Sequence, residues 1–204
     1  LITALLFAMD AAASEGDVIV FGDETVSVLG YAQYLTDPDA RFSIETIDEQ
    51  PFREMAQPFP APGGTAWTRF DVHNATQRDS TRYLVFEARP DALTVWSRST
   101  SGTTAVLWNA GPGIPYDPGE FATRRAVVPI SLRAGERQSI YVRYAMTYAT
   151  PLHMSLGGAK FVHARSLRQD VRVSAFTAVM VTLILLNLTY ALAAKRWGFL
   201  YYSL

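Results

Sequence analysis

The chain has 204 residues, of which 49% are hydrophobic and 18% charged, and its 18 basic and 19 acidic side chains leave a formal net charge of −1. It contains no cysteine, which excludes disulfides, thiolate metal sites and cysteine nucleophiles. The basic residues are scattered singly or in pairs and form no patch, so no nucleic-acid partner is expected.

The first residues are typical of the apolar core of a secretory signal. Leu1–Met9 is apolar, and Ala11 to Ala13 supply small residues of the kind found at cleavage sites. No initiator Met and no basic region precede this core, so residues 1–13 are predicted to be part of a signal peptide. The alternative is an ordinary buried apolar segment.

Residues 17–163 are predicted to fold as one β-rich domain, because short apolar or β-branched runs alternate with turn residues. The predicted strands are Val18–Phe21, Ala66–His73, Tyr83–Ala88, Leu93–Arg98, Thr104–Trp108, Ala126–Ile130, Ser139–Tyr148 and Leu152–Leu156. Strands this short and regularly spaced favour an antiparallel sandwich or barrel. One or two helical turns are expected at Ser43–Gln50, where Thr46 and Glu49 have capping-box spacing and Pro51 follows.

Alternation along the strands separates a core face from an outward face. The residues assigned to the core are Ala66, Thr68, Phe70, Val72, Leu84, Phe86, Ala88, Leu93, Val95, Ile140, Val142, Tyr144 and Met146. The outward faces combine aromatic rings with arginines, and the candidate ligand-binding residues among them are Trp67, Arg69, Trp96, Tyr141 and Arg143. Aromatic rings stack on sugars or similar rings, and arginine offers a planar fork of five donors to carboxylates and hydroxyls.

A purely structural role for the same five residues stays open. In that alternative the arginine stems cover the sheet and the guanidinium groups pair with Asp71 and Glu87. The loop Asn109–Thr123, rich in Gly and Pro, either plugs Trp67, walls a ligand pocket or only connects two strands.

Other chemistry has little support in the sequence. His73, His153 and His163 are far apart and lack the spacing of metal ligands, so neither a metal nor a cofactor is expected. No nucleophile elbow, Walker loop or dinucleotide fingerprint occurs, so this segment is not expected to be an enzyme. Asn74 opens an Asn-Ala-Thr glycosylation acceptor, but an Asn after a strand favours a turn.

An uncharged run of 22 residues, Val173–Ala194, is predicted to cross a membrane. As a helix it is about 33 Å long, which matches the ~30 Å hydrocarbon core. Residues 164–172 form the juxtamembrane joint, and residues 195–204 are predicted to be a cytoplasmic turn and the start of a second helix. The signal peptide then leaves residues 14–172 in the periplasm. The polar Asn187 favours a helix packed in a bundle over a lone anchor.

The order of several short motifs resembles a known family. In chain order they are Tyr31–Leu35, Asp37-Pro38, Ala66–Phe70, Tyr141–Tyr144, Thr150–Leu152, Lys195-Arg196 at the end of the span, and Phe199–Tyr202. This order resembles that of the bacterial seven-transmembrane receptors with diverse intracellular signalling modules. The resemblance is specifically to the second type of extracellular domain in these receptors. The similarity covers roughly Val26 to Leu204.

The resemblance implies a mainly β fold, an antiparallel jelly-roll β-sandwich similar to carbohydrate-binding modules, followed by a transmembrane α-helix in the bacterial inner membrane. It also implies a cytoplasmic output module, often a diguanylate cyclase or a histidine kinase. The domain is therefore expected to bind a small polar solute, with carbohydrates among the candidates. It is expected to relay the binding signal through a membrane helix bundle. The alternative is a domain that binds a periplasmic protein partner and needs no small ligand.

Overall fold

The computed structural model describes residues 17–20, 24–54, 64–88, 90–115, 121, 125–148 and 153–194. The strands are β1 (Asp17–Val20), β2 (Val26–Ser27), β3 (Gln33–Thr36), β4 (Arg53–Glu54), β5 (Gly64–Asn74), β6 (Ser80–Phe86), β7 (Ala92–Ser99), β8 (Thr104–Ala110), β9 (Val127–Leu132), β10 (Arg137–Met146) and β11 (Met154–Gly157). One long helix, α1 (Ala159–Ala194), follows β11, and two short 3₁₀ turns lie at Val28–Gly30 and Ile47–Glu49. The predicted signal peptide at residues 1–13 and the predicted turn at residues 195–204 lie outside the described residues.

The strands form two sheets. The larger sheet has the order β4-β3-β5-β10-β7-β8, and β1 pairs with the end of β5 beside β3. The smaller sheet has the order β2-β11-β6-β9. The pairing of β1 with β5 is parallel, and the other pairings described are antiparallel. The predicted fold class, mainly antiparallel β with a C-terminal apolar helix, is confirmed.

The core lies between these sheets, because one buried cluster takes side chains from both. Phe70 and Ile140 come from the larger sheet, and Leu84, Ile130 and Met154 come from the smaller one. The core faces predicted from alternation are therefore confirmed on β5, β6, β7 and β10. Each fully buried side chain of this size contributes about 1.5–3 kcal/mol relative to an exposed one. Two sheets packed in this way are consistent with a jelly-roll sandwich.

Every strand predicted from the sequence overlaps an observed strand, and the differences lie in the short elements. β2 and β4 were not among the predicted strands, because two residues are too few to show alternation. The expected helical segment at Ser43–Gln50 is reduced to the 3₁₀ turn at Ile47–Glu49. The capping box is wrong: the Thr46 side chain makes no cap hydrogen bond, and its hydroxyl interacts with Ser43.

Asn74 is the last residue of β5, and its side chain stabilises the turn that follows. Its side chain is fully buried, and its Nδ2 donates to the carbonyls of Arg78, Leu132 and Arg133 at 2.8, 3.3 and 3.0 Å. Its Oδ1 accepts from the Thr76 amide and hydroxyl at 3.1 and 2.7 Å. One amide thus ties the turn after β5 to the turn between β9 and β10.

A second apolar cluster lies on the side of the smaller sheet that faces away from the core. Tyr83, Val85 and Val127 pack there with Phe121 and with Val162 from the first turn of α1. The rings of Tyr83 and Phe121 meet edge to face, with centroids 4.8 Å apart. The start of α1, up to Val162, therefore belongs to the packed body formed by the sheets.

Gly157 is expected to tolerate no side chain, because a Cβ there would lie 2.7 Å from Cδ1 of Phe161. Gly157→Ala should lower the free energy of unfolding by about 1–3 kcal/mol, the usual cost of overpacking. Thermal unfolding measures this, and Phe161→Ala should cost less in the Gly157→Ala chain than in the parent, because the truncation relieves the clash while it removes packing. Gly30→Ala is the matched control, since a Cβ at Gly30 meets nothing within 4 Å. Equal stability of the two alanine variants would contradict the packing.

The second unit of the chain, His163–Leu204, is described through α1. Within the described residues, one helix is long and apolar enough to cross a membrane, and its candidate span covers Ala159–Tyr190. The hydroxyls of Thr177 and Thr182 donate to carbonyls four residues earlier at 2.9 and 2.8 Å, so these polar groups are satisfied within the helix. The predicted joint and the predicted span both lie in α1.

Candidate ligand-binding site

The five candidate ligand-binding residues lie on one face of the larger sheet. Trp67 and Arg69 belong to β5, Tyr141 and Arg143 to β10, and Trp96 to β7. The register places Arg143 beside Trp67, and it places Tyr141 between Arg69 and Trp96. The structure thus brings these residues together on the face opposite the core, which we call the outer face.

The chain between β3 and β4 covers the aromatic part of the outer face. This segment, Asp37–Phe52, is called the cap segment below. Its Ile47 is fully buried against Trp67 and Tyr141, and Phe42, Ile44 and Phe52 pack around the same cluster. As a result Trp67 is only 1% exposed and Tyr141 only 3%. Among the described residues, the cover over Trp67 comes from the cap segment, whereas the sequence suggested the loop Asn109–Thr123.

Asp37 fixes one end of the cap segment to the sheet. Its side chain is buried, and its carboxylate accepts from the amides of Arg41 and Phe42 at 2.8 and 3.1 Å. The same carboxylate accepts from Nε1 of Trp67 at 3.2 Å. Trp67 in turn stacks on Trp96, with ring centroids 5.2 Å apart. The indole N–H of Trp67 is therefore fixed by Asp37, and its ring is fixed by stacking on Trp96.

Asp48 and Arg98 fix the middle of the cap segment. The Tyr141 hydroxyl donates to Asp48 Oδ1 at 2.6 Å, and Arg98 forms an ion pair with the same carboxylate. Arg98 Nη2 also donates to the carbonyl of Ile44 at 2.6 Å, and its guanidinium lies 5.0 Å from the centroid of the Tyr141 ring. The polar group of Tyr141 is thus engaged within the protein.

Arg69 is also engaged within the protein. Its Nη2 donates to Oε1 of Gln33 at 2.6 Å, and its guanidinium lies 4.7 Å from the centroid of the Phe52 ring. In the purely structural alternative, the arginines were expected to pair with Asp71 and Glu87. The observed partners of Arg69 are different. Asp71 instead accepts a hydrogen bond from the Ser139 hydroxyl at 2.7 Å.

Small side chains leave a depression on the outer face beside Arg143. Thr65, Ala145 and Ala92 form one row across β5, β10 and β7, and Trp67, Arg143 and Thr94 form the next. The depression has a volume of about 110 Å³ and is lined by Thr65, Ala92, Leu93, Thr94, Arg143, Tyr144 and Ala145. The depression exists because three small side chains meet in one row beside the larger Trp67 and Arg143.

The start of the loop Asn109–Thr123 borders this depression. The Thr94 hydroxyl donates to Oδ1 of Asn109 at 3.1 Å, and a Cβ on Gly111 would lie 3.2 Å from Cβ of Ala92. Residues 116–120 and 122–124 of the loop lie outside the described residues, so its role as a pocket wall stays a prediction. Phe121, by contrast, packs on Tyr83 of the smaller sheet.

Arg143 differs from the other arginines described on this face. It is half-buried, its Nε is inaccessible to solvent, and in the described part of the chain this atom has no hydrogen-bond partner. Its guanidinium lies 5.8 Å from the centroid of the Trp67 ring. Since Trp67 is held by Asp37 and Trp96, this contact positions a cation at the edge of the depression.

Tyr144, which also lines the depression, contributes no ionisable group. Burial raises the pKa of the Tyr144 phenol far above its usual range. The phenol therefore stays neutral at all physiological pH values. The donors available to a ligand are then the Arg143 guanidinium and the Thr65 hydroxyl, since the Thr94 hydroxyl donates to Asn109, and these donors suit oxygen-rich ligands.

Sequence reasoning named Arg143 but missed the small residues around it. Thr65, Ala92, Thr94 and Ala145 share its face by alternation, which is a signal that the sequence does carry. Small side chains indicate no chemistry by themselves. A depression can be inferred from them only when the strands that pair are known. The roles of Asp37 and Asp48 were missed because their partners, Trp67 and Tyr141, are distant in sequence.

Comparison with known proteins agrees with this architecture. The family model described as 7TMR-DISM extracellular 2 matches residues 29–157, which is more than half of the chain. The matched region runs from the turn before β3 to the end of β11 and contains the cap segment and the depression. No curated protein matches the chain. The chain therefore belongs to the family of extracellular domains of 7TMR-DISM receptors.

Proposed function

We propose that residues 14–172 form the periplasmic ligand-sensing domain of a bacterial inner-membrane receptor, and that the domain binds a small polar solute in the depression beside Arg143. Binding is relayed through a membrane helix bundle to a cytoplasmic output module. The observation that carries the proposal is the half-buried Arg143, whose Nε has no partner among the described residues at the edge of a 110 Å³ depression. The family and the candidate membrane span support the receptor context.

The proposed binding mode differs from stacking on the aromatic rings. Trp67 and Tyr141 are buried under the cap segment, so a sugar reaches their faces only if that segment moves. The depression needs no such movement. We therefore assign Arg143 the direct ligand contact, and we assign Trp67 a positioning role through its contact with Arg143.

Thermal unfolding of the chain in detergent micelles, with a panel of sugars, sugar acids and amino acids, tests this function. A ligand at 100 times its Kd stabilises the folded state by about 2.7 kcal/mol, and each kcal/mol raises Tm by about 2–4 °C at this size. A ligand is expected to raise Tm in the parent chain and to have a much smaller effect in Arg143→Met. Methionine keeps an apolar stem of similar length and removes the charge and the donors.

A periplasmic protein partner is the second candidate function. It is favoured by the outermost strand of the larger sheet, β8, where residues Thr104 to Val106 are exposed and Val106 is 60% exposed. Unpaired strand edges of this kind accept further strands. A folded chain whose Tm responds to no solute of the panel would favour this candidate over the solute sensor.

A further inference from the structure

We infer that the chemical group recognised in the depression is a carboxylate, and that a neutral sugar ring is not the preferred ligand. This inference rests on the proposed function and names the ligand class for the same site. The depression has one cationic side chain, Arg143, in its lining, and the described lining residues include no acid. Arg143 is therefore the charged side chain in the described lining.

The comparison among arginines on the outer face supports an anionic partner for Arg143. Arg98 has a carboxylate partner in Asp48, and Arg69 has the amide oxygen of Gln33. Arg143 has a buried Nε without an acceptor in the described part of the chain, and no ion pair involves it there. Because Nε is inaccessible, a ligand in the depression would meet the Nη groups of the half-buried guanidinium. An anionic acceptor there would be favoured, since the charge has lost part of its hydration and has no acidic partner in the described part of the chain.

The geometry suits a planar anion. A guanidinium presents two parallel N–H groups, and a carboxylate accepts both at once. The Trp67 ring holds Arg143 in place, and Trp67 is itself fixed by Asp37 and by Trp96. A donor held in this way loses little conformational entropy on binding, which favours affinity. The Thr65 hydroxyl is available for an oxygen on the rest of the ligand, whereas the Thr94 hydroxyl already donates to Asn109.

The volume limits what the depression encloses. A cavity of about 150 Å³ accommodates benzene, which has six heavy atoms. By that measure the 110 Å³ depression encloses a group of about four or five heavy atoms, such as a carboxylate with its neighbouring carbon and one substituent. A complete pyranose ring is too large, so a sugar acid would insert its carboxylate and leave the ring outside.

Isothermal titration calorimetry on the full chain in detergent micelles tests the inference with matched pairs of probes. The pairs are lactate with lactamide, alanine with alaninamide, and glucuronate with glucose. We expect at least one carboxylate to bind about 10- to 100-fold more tightly than its neutral or amidated counterpart, as expected for the loss of one charge-assisted hydrogen bond. Which acid binds best separates small monocarboxylates, amino acids and sugar acids.

Variants assign the effect to the depression. Arg143→Met should weaken carboxylate binding by a similar factor, and Arg143→Lys should weaken it less because the charge remains without the planar fork. Arg137→Met is the matched control and should bind like the parent, because Arg137 lies at the opposite end of the same strand and is exposed. If Arg143→Met does not fold, as judged by circular dichroism, the Arg143→Lys variant decides.

The outcomes separate this inference from the proposed function. If glucose or the amides bind as tightly as the acids, or if carboxylate binding is unchanged in both Arg143 variants, the carboxylate inference is overturned and solute sensing survives. If no probe binds at about 10 mM, both are overturned. A preference for the acid that disappears with the Arg143 guanidinium supports both.

Discussion

Asn74→Ala is expected to lower the free energy of unfolding by about 3 kcal/mol. The substitution removes a buried amide whose Nδ2 donates to three carbonyls and whose Oδ1 accepts from Thr76. Each buried acceptor left without a donor costs about 1–3 kcal/mol, and partial access of water reduces the sum. Thermal unfolding of the full chain in detergent, followed by tryptophan fluorescence, measures the loss.

Two variants control the Asn74 experiment. Asn109→Ala removes an exposed Asn that makes one hydrogen bond, to Thr94, and should cost no more than about 1 kcal/mol. Asn74→Asp keeps an acceptor for Thr76 but places a buried carboxylate oxygen against three carbonyls, so at neutral pH it should be at least as unstable as Asn74→Ala. An Asn74→Ala chain as stable as Asn109→Ala would show that the two turns are held together by other contacts.

Asp37→Ala is expected to release one end of the cap segment and to destabilise the chain by about 3 kcal/mol. The substitution leaves the Trp67 indole N–H buried without an acceptor and removes the acceptor of two backbone amides. Hydrogen bonds to a charged group contribute about 1.5–3 kcal/mol each, and part of this is recovered when the freed amides meet water. The fluorescence of Trp67 and Trp96 should shift to longer wavelength as water reaches the rings.

Asp39→Ala is the matched control for Asp37. Asp39 lies two residues away, and its ion pair with Arg41 is exposed, with 61% of the Asp39 side chain accessible. Exposed ion pairs contribute about 0–1 kcal/mol, so this variant should keep both the stability and the emission spectrum of the parent. Equal effects of the Asp37 and Asp39 substitutions would mean that the buried carboxylate does not fix the cap segment.

The cap segment buries two residues whose sheet face was predicted correctly but whose burial was not predicted. Trp67 and Tyr141 were correctly placed on the face opposite the core, since alternation depends only on local geometry. Their burial depends on Ile47 and Asp37, which lie 20 or more positions away in sequence from both rings. Whether the five candidate residues bind a ligand stays a prediction, to be decided by the Arg143 variants.

By itself the sequence determined the strand-rich fold class, the core faces of the long strands, the turn at Asn74, and an apolar helix long enough to cross a membrane. These features depend on side-chain periodicity and on local backbone preference, and both are determined by residues that are close together in the sequence. Tertiary structure alone decided which outward residues are covered and where space remains. The depression beside Arg143 exists because Thr65, Ala92 and Ala145 meet in one row, and that row depends on the pairing of three strands that are distant along the chain.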